Sequence, residues 1–448
     1  MFDYFLLLGF LFGLVVVFIL TLHDLKWGVL LIPALLPTYL LRAEISWIPT
    51  TFLELSIYLV AVVALFKVLK VILKSKSKSK AVEKIIKTFW NKVKGLHILA
   101  LILFITAIVG MIISDDKKLS LGIVKAWFFD PLIYFYLVIF VLDKLKDLKK
   151  LFYLMIIPGV TLAFYGLAQY FTGDLLVDGR IRLIYESPNY VSLYFGPLII
   201  IAAGLLLYNL TDQKKVWKFE GKWGIILGLV LGILLMGFVL FLTQSYAAWL
   251  AVFVGGLIVI GVLMRRKWLY YLLILVGSVF GLVTQLNNPK LKAIFDFAGN
   301  SSMHKRLEIW KGSLAILKDH WLFGVGLGKF QEIYLEYIPK VFTSPPLDWQ
   351  VLHSHNLFFY FWLNLGIVGF LAFLGILVYL GFCFVKLAKD KKLFQKIRLE
   401  YFIFLGVITA IIVHGLFDTP YWKNDLAVLF WLVVGGVVWL CQKERVKN

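Results

Sequence analysis

Long apolar runs separated by short polar joints dominate the chain. A bilayer-spanning helix takes ~20 mostly apolar residues, and runs of about that size fall near 4–21, 27–41, 51–73, 95–113, 122–142, 151–171, 190–209, 222–242, 246–264, 267–286, 355–385, 399–417 and 424–441. The pattern predicts an all-α polytopic integral membrane protein with about 12–13 transmembrane helices. The whole chain, 1–448, reads as one integral membrane domain, with a large loop at 287–354 between the tenth and eleventh spans. The first run follows Asp3 without a basic stretch, is longer than the apolar part of a signal peptide and lacks a small-residue cleavage site, so a retained anchor is expected. The second is short and contains Pro33 and Pro37; if it is re-entrant, the first span turns around and every later one keeps its side. Between the third and fourth spans, Val82, Ile85, Ile86, Phe89, Trp90 and Val93 recur at helical spacing among lysines. They predict a cationic amphipathic helix suited to an anionic leaflet, and the rival reading is a polybasic recognition site.

Composition agrees: 61% of the 448 residues are hydrophobic and 16% charged, with mean hydropathy +0.88, which excludes an ordinary soluble protein. A formal charge of +20 in a soluble chain would suggest nucleic acid. Its distribution changes that meaning. The joints 74–94, 143–150, 211–222, 265–267, 386–398 and 442–448, with Asp24, Lys26, Lys67, Lys70 and Glu400, lie on one side, which carries 31 Lys and Arg against 9 Asp and Glu; the other side carries 15 against 17. Basic joints face the cytoplasm, so the amino terminus is expected outside and the charge is a topology signal with no nucleic-acid partner. Cys383 and Cys441 both sit in apolar runs and form neither a disulfide framework nor a metal or redox motif.

Basic residues on the outer side are therefore the informative ones. Arg180 and Arg182 lie in the joint 172–190 with Glu186 and Asn189, and Arg306 opens a helical pattern in the long loop with Trp310 one turn on. A guanidinium offers a planar fork to two phosphate oxygens and keeps its charge. A diphosphate clamp and an arginine that snorkels to headgroups or pairs with Glu308 or Asp319 are both open readings. The run Gly324-Val325-Gly326-Leu327-Gly328 has no preceding strand and no terminal Lys-Ser/Thr, so it reads as a tight turn and not a nucleotide loop.

Histidines sharpen the picture. In Leu352-His353-Ser354-His355-Asn356, Ser354 as N-cap would put His355 at the positive end of the eleventh span, three turns before Gly366 on the same face. A neutral imidazole there could take a proton from a hydroxyl, or simply cap the helix. A metal site from His353, His355, His304 or His320 lacks a clear carboxylate, so no metal and no cofactor is expected. Asp115 and Asp116 sit beside two lysines and read as a solvated turn. His414 and Asp418, one turn apart, read as a structural pair, with an electrostatic role for Asp418 beside His355 as the alternative.

Taken in order, Gly179-Arg180, Pro188-Asn189, the Thr243–Leu250 hairpin, Arg306 with Trp310, Gly324-x-Gly326, and His355-Asn356 with Gly366 resemble the O-antigen ligase and polymerase family of membrane glycosyltransferases, which includes bacterial O-linked oligosaccharyltransferases. The resemblance runs from about Arg180 to Leu440 and is strongest over 227–380. It implies a metal-independent enzyme that moves a glycan from a polyprenyl-diphosphate carrier to an acceptor hydroxyl on a glycan, lipid or protein, on the outer (periplasmic or extracellular) face of the cell membrane, in cell-envelope polysaccharide biosynthesis. Carried over, His355 matches the histidine that activates the acceptor and Arg306 an arginine that binds the diphosphate; Arg180 and Arg182 join it as expected phosphate ligands, with Asn189, Tyr246, His353, Gly366 and Asp418 in support. Where the family has Ser-Arg-Gly-Ala after the hairpin threonine, this chain has Ser245-Tyr246-Ala247-Ala248. Either Arg180 or Arg182 replaces the missing charge, or the activity is altered or lost. A lipid-linked glycan transporter or flippase, the rival class, predicts ionisable residues inside the spans and an inverted repeat, and neither is apparent.

Overall fold

The computed structural model describes residues 2–45, 48–93, 95–211, 219–263 and 301–442, with isolated positions between 272 and 283. The predicted tenth span and the first part of the long loop, 287–300, lie outside the described residues except at those isolated positions. Among the described residues eight helices are long and apolar enough to cross a membrane, and four shorter apolar helices accompany them. The protein is an all-α polytopic membrane protein, with one short hairpin added.

The second span shows how a short, proline-bearing segment crosses. After α1 (Phe2–His23), α2 (Leu25–Leu31) is capped by Asp24 and passes at Pro33 into a 3₁₀ stretch, Ile32–Leu40. A 3₁₀ helix rises ~2.0 Å per residue against ~1.5 Å for an α-helix, so these residues extend about 28 Å, close to the ~30 Å hydrocarbon core. Lys26 at one end pairs with Asp143 at 2.5 Å and Asp147 at 3.8 Å. The other end enters the antiparallel hairpin β1 (Arg42–Ile45) and β2 (Ile48–Thr51), where Lys125 donates to the Pro49 carbonyl. Lys125 lies within the apolar span Lys117–Val141 and Asp143 just beyond its far end, ~27 Å of helix away, so the second segment traverses the bundle and is not re-entrant.

The hairpin feeds α3 (Phe52–Lys74) through a capping box of Thr51 and Glu54. The expected amphipathic helix forms as α4 (Lys78–Val93): Phe89 stacks on His97 and Phe140 of the bundle, and Val82, Ile86 and Trp90, at successive fours, are exposed along one side. Next come α5 (Leu96–Ile113), α6 (Lys117–Val124), which runs through a π turn into α7 (Asp130–Val141), and α8 (Leu145–Thr172). They are followed by α9 (Pro188–Thr211), α10 (Phe219–Leu242) and α11 (Tyr246–Leu263). The described part of the long loop is not irregular: it holds α12 (Ser302–Asp319) and α13 (Phe330–Val341). The chain ends in α14 (Leu357–Lys389), α15 (Lys391–Gly415) and α16 (Asn424–Leu440).

Helix α16 is apolar all round and buried from Asp425 to Leu440, which makes it the axis of the bundle, packed by α7 and α15. At the crossing of α11 and α15 two glycines bring backbones together, and a Cβ on Gly255 would fall 2.6 Å from the Gly406 carbonyl oxygen. Gly256, the next residue, faces open space. The expectation that ionisable groups keep to the joints fails at two buried residues. Asp130 accepts a hydrogen bond from the Tyr58 hydroxyl, and Glu400 lies 3.7 Å from Lys149. Both carboxylates have a partner, which is what lets them stay in a low-dielectric interior.

Candidate active site at the head of a broken helix

Helix α12 starts at Ser301, whose hydroxyl caps the His304 amide, and presents Arg306 and Trp310 one turn apart. Each ties down a different loop. Arg306 donates through Nε to the Phe417 carbonyl at 2.8 Å and through Nη1 to the Ser302 carbonyl at 3.3 Å. Trp310 donates through Nε1 to the Ser354 carbonyl at 3.1 Å. The loops before α14 and after α15 are thereby brought together.

Asn356, not Ser354, caps α14: its Oδ1 accepts from the amides of Phe358 and Phe359, both at 3.0 Å, and its Nδ2 donates to the Leu416 carbonyl at 3.0 Å. This corrects the expected placement of His355. It stands outside the helix, one residue before the cap and in the left-handed region at φ 46°, and so shares no helical face with Gly366. Such backbone in a residue with a side chain costs about 1–3 kcal/mol and persists where surrounding contacts dictate it. The effect is to aim the imidazole at Asp418, with Nδ1 3.7 Å from Oδ1. His353 meets it edge-on, ring centroids 4.3 Å apart.

Asp418 is buried, and its Oδ1 accepts from the Thr419 amide at 2.9 Å. Burial pushes its carboxyl up, but His355, by close contact and charge, with His353 and His414, more than offsets this and holds it far below the usual carboxylate range. His414, one turn earlier, receives the Asp418 amide on its carbonyl at 2.9 Å, so the expected pairing of these two is a backbone one. The Asp418 carboxylate faces His355, as the alternative reading required. Nδ1 of His353, Nδ1 of His355 and Nε2 of His414 are buried without a hydrogen-bond partner among the described residues.

Burial, then the charge of His355, outweighs Asp418 and pushes the His353 imidazole down to about 3. The unfolded chain takes up a proton on this residue near its ordinary 6.5 and the folded protein does not, so His353 makes stability fall as pH drops from 6.5 toward 3. The thermal midpoint of the wild type is therefore expected to fall more between pH 7 and pH 5 than that of His353→Gln. Equal falls would mean that His353 takes its proton normally.

The donor atoms of His353, His355 and Asp418 all lie within 4.8 Å of one another and could hold a metal ion. The Arg306 guanidinium lowers the His353 proton affinity through its charge, as does Lys423, so the surroundings are already cationic. Lys423 is a residue that sequence reasoning passed over. Its Nζ lies 3.4 Å from the Tyr190 ring centroid and donates to the Tyr39 hydroxyl at 3.2 Å, and burial pulls its basicity down. It also lines, with Asn424, Glu186 and Trp127, a cavity of about 500 Å³.

Other expected site residues make their described contacts elsewhere. Arg180 donates through Nε to Asp178 at 2.6 Å, Arg182 is exposed, and no described contact joins either to His355. Asn189 serves the start of α9, its amide donating to the Ser187 hydroxyl at 3.3 Å and its carbonyl accepting from Ser192 at 2.7 Å. Tyr246 begins α11 edge-on to Trp249. The arginine loop does reach the hairpin after α10, where the Ile181 amide donates to the Leu242 carbonyl at 3.3 Å.

Gly366 breaks α14, at φ 70° and ψ −177°. The turn between α12 and α13 fills the break. Val325 donates to the Leu363 carbonyl at 2.7 Å, Ile367 donates to the Trp321 carbonyl at 3.0 Å, and Leu327 donates to the Gly110 carbonyl of α5 at 3.1 Å. The glycine run is thus a tight turn, as expected, and it supplies the hydrogen bonds that the broken helix gives up. The half-helix 357–365 directs its positive end toward the His355 group.

Residues 231–374 match the family model described as O-antigen ligase. Over this segment the chain is similar to the O-antigen ligase family. No curated protein matches the sequence. The matched segment contains Arg306, His353, His355 and Gly366, and stops short of Asp418 and Lys423, which the fold delivers from beyond it. The family is one of membrane glycosyltransferases, whose partners are a lipid-linked glycan and an acceptor.

Proposed function

We propose that this protein transfers a glycan from a polyprenyl-diphosphate carrier to an acceptor hydroxyl, at the face of the membrane opposite the basic joints and without a metal. The observation that carries this reading is the convergence of His355, Asp418 and Arg306 from three separate segments. With the Asp418 carboxylate next to Nδ1, the imidazole keeps its proton on that nitrogen and leaves the Nε2 lone pair free to act as base. The acceptor hydroxyl gives its proton to Nε2 as its oxygen bonds to the anomeric carbon, and the bond from that carbon to the phosphate oxygen breaks, leaving the electron pair on the diphosphate. Asp418 stabilises the imidazolium so formed. A guanidinium has five N–H donors, and the two backbone contacts of Arg306 leave the others for the departing phosphate, whose charge grows in the transition state. The cavity lined by Lys423 provides room for sugar, with Trp127 and Tyr39 as ring faces and charged groups for hydroxyls. A glycan, a lipid and a protein each offer the acceptor hydroxyl that this chemistry needs.

The test is purified protein in detergent with a synthetic polyprenyl-diphosphate sugar and a hydroxyl acceptor, where a product cannot arise from flipping. Transfer is expected, unchanged after exhaustive chelation, and lowered about 10²–10³-fold in Arg306→Ala, the usual cost of one transition-state donor. Loss of activity on chelation with recovery on adding Zn²⁺ would instead make His353, His355 and Asp418 a metal centre. No product with correctly folded protein leaves the transporter or a non-catalytic family member.

A further inference from the structure

On the basic face, far from the His355 group, α8, α9 and α10 enclose a groove of about 710 Å³. Its mouth carries Lys146, Lys149 and Lys150, which fall at helical spacing on one side of α8. Along its length it is apolar, walled by Ile157 and Val160 of α8 and Ile225 and Leu229 of α10. From Lys146 to Val160 the helix rises about 21 Å, so the groove runs from headgroup level through a leaflet whose hydrocarbon is ~15 Å deep.

We propose that this groove binds an anionic glycerophospholipid of the leaflet on the basic face, its phosphate among the three lysines and an acyl chain along the apolar wall. The charges are placed for this. Lys149 is held by the Tyr208 hydroxyl at 2.9 Å and lies over that ring at 4.1 Å, while Lys150 lies over the Trp27 ring at 5.1 Å. Asp147, the acid within the lysine run, is turned to other work: its Oδ2 accepts from the Lys144 amide at 3.1 Å and pairs with Lys26. Glu400 lies 3.7 Å from Lys149, so Lys146 and Lys150 carry the charge that awaits an anion. The apolar length distinguishes a lipid from free phosphate, which would use only the mouth.

Native mass spectrometry of the full-length protein in detergent, supplied with phosphatidylglycerol or phosphatidylcholine of the same chains, tests this. A retained phosphatidylglycerol adduct is expected, weakened about fivefold per lysine removed in Lys146→Gln/Lys150→Gln, and not displaced by inorganic phosphate. Gly228 lines the groove, and a Cβ there meets nothing within 4 Å, so Gly228→Phe fills the groove without disturbing packing and is expected to abolish the adduct. Lys391→Gln/Lys392→Gln, elsewhere on the basic face, is expected to keep it. Equal retention of both lipids, or equal loss in the two lysine pairs, would overturn the proposal.

Discussion

The His355→Ala protein is expected to fold and to transfer glycan about 10²–10⁴-fold more slowly, the range set by loss of a general base. The size of the loss follows from how the residue is held. Its side chain is 24% exposed while that of Asp418 is 2% exposed, so the base is open to an acceptor and its orienting carboxylate is not. No helix depends on it, because Asn356 does the capping. His355→Asn serves as the companion variant: asparagine tolerates left-handed backbone better than alanine and has no basic nitrogen, so it is expected to lose the same activity with an undisturbed loop. Asp418→Asn is expected to lower kcat with little change in donor KM, as befits a residue acting through the imidazole. Transfer at the wild-type rate by either His355 variant, at equal protein levels, would remove His355 from the chemistry.

The spans were legible because hydrocarbon thickness imposes length and apolarity on each of them, and α16 and α4 show it most plainly: one apolar all round and buried, the other apolar along one stripe. Arg306 stood out because it lies where the charge distribution gives topology no use for it, and His355 because it falls at the head of the eleventh span. The sequence could not show that Asp418, 63 positions beyond His355, becomes its partner, because that contact depends on Arg306 and Asn356 gripping adjacent carbonyls of one loop. Lys423 was hidden for the same reason, since its three tyrosines come from the 3₁₀ span, the arginine loop and α9. The misplaced helix cap at Ser354 is a local error with a local cause. Serine and asparagine two residues apart are both good caps, and only the contact from Asn356 to the Leu416 carbonyl favours the second.

Gly366→Ala is expected to destabilise the protein by about 3 kcal/mol or more and to abolish transfer. The backbone there lies in a region essentially closed to residues with a side chain, worth about 1–3 kcal/mol. A Cβ at this position would fall 2.1 Å from the Leu322 carbonyl oxygen and 2.6 Å from the Phe323 Cα, so the turn would have to withdraw. Withdrawal releases the bonds between Val325 and Leu363 and between Ile367 and Trp321, and each buried group left unpaired costs a further ~1–3 kcal/mol. The half-helix 357–365 would lose its support and carry the Asn356 cap, and with it His355, away from Asp418. Gly381→Ala gives the comparison: it lies in the same helix, where an added Cβ would meet nothing within 4 Å, and alanine favours helix there by up to ~1 kcal/mol. A Gly366→Ala protein that unfolds at the same temperature as Gly381→Ala would mean that α14 can run straight and that the break holds neither the turn nor the histidine in place.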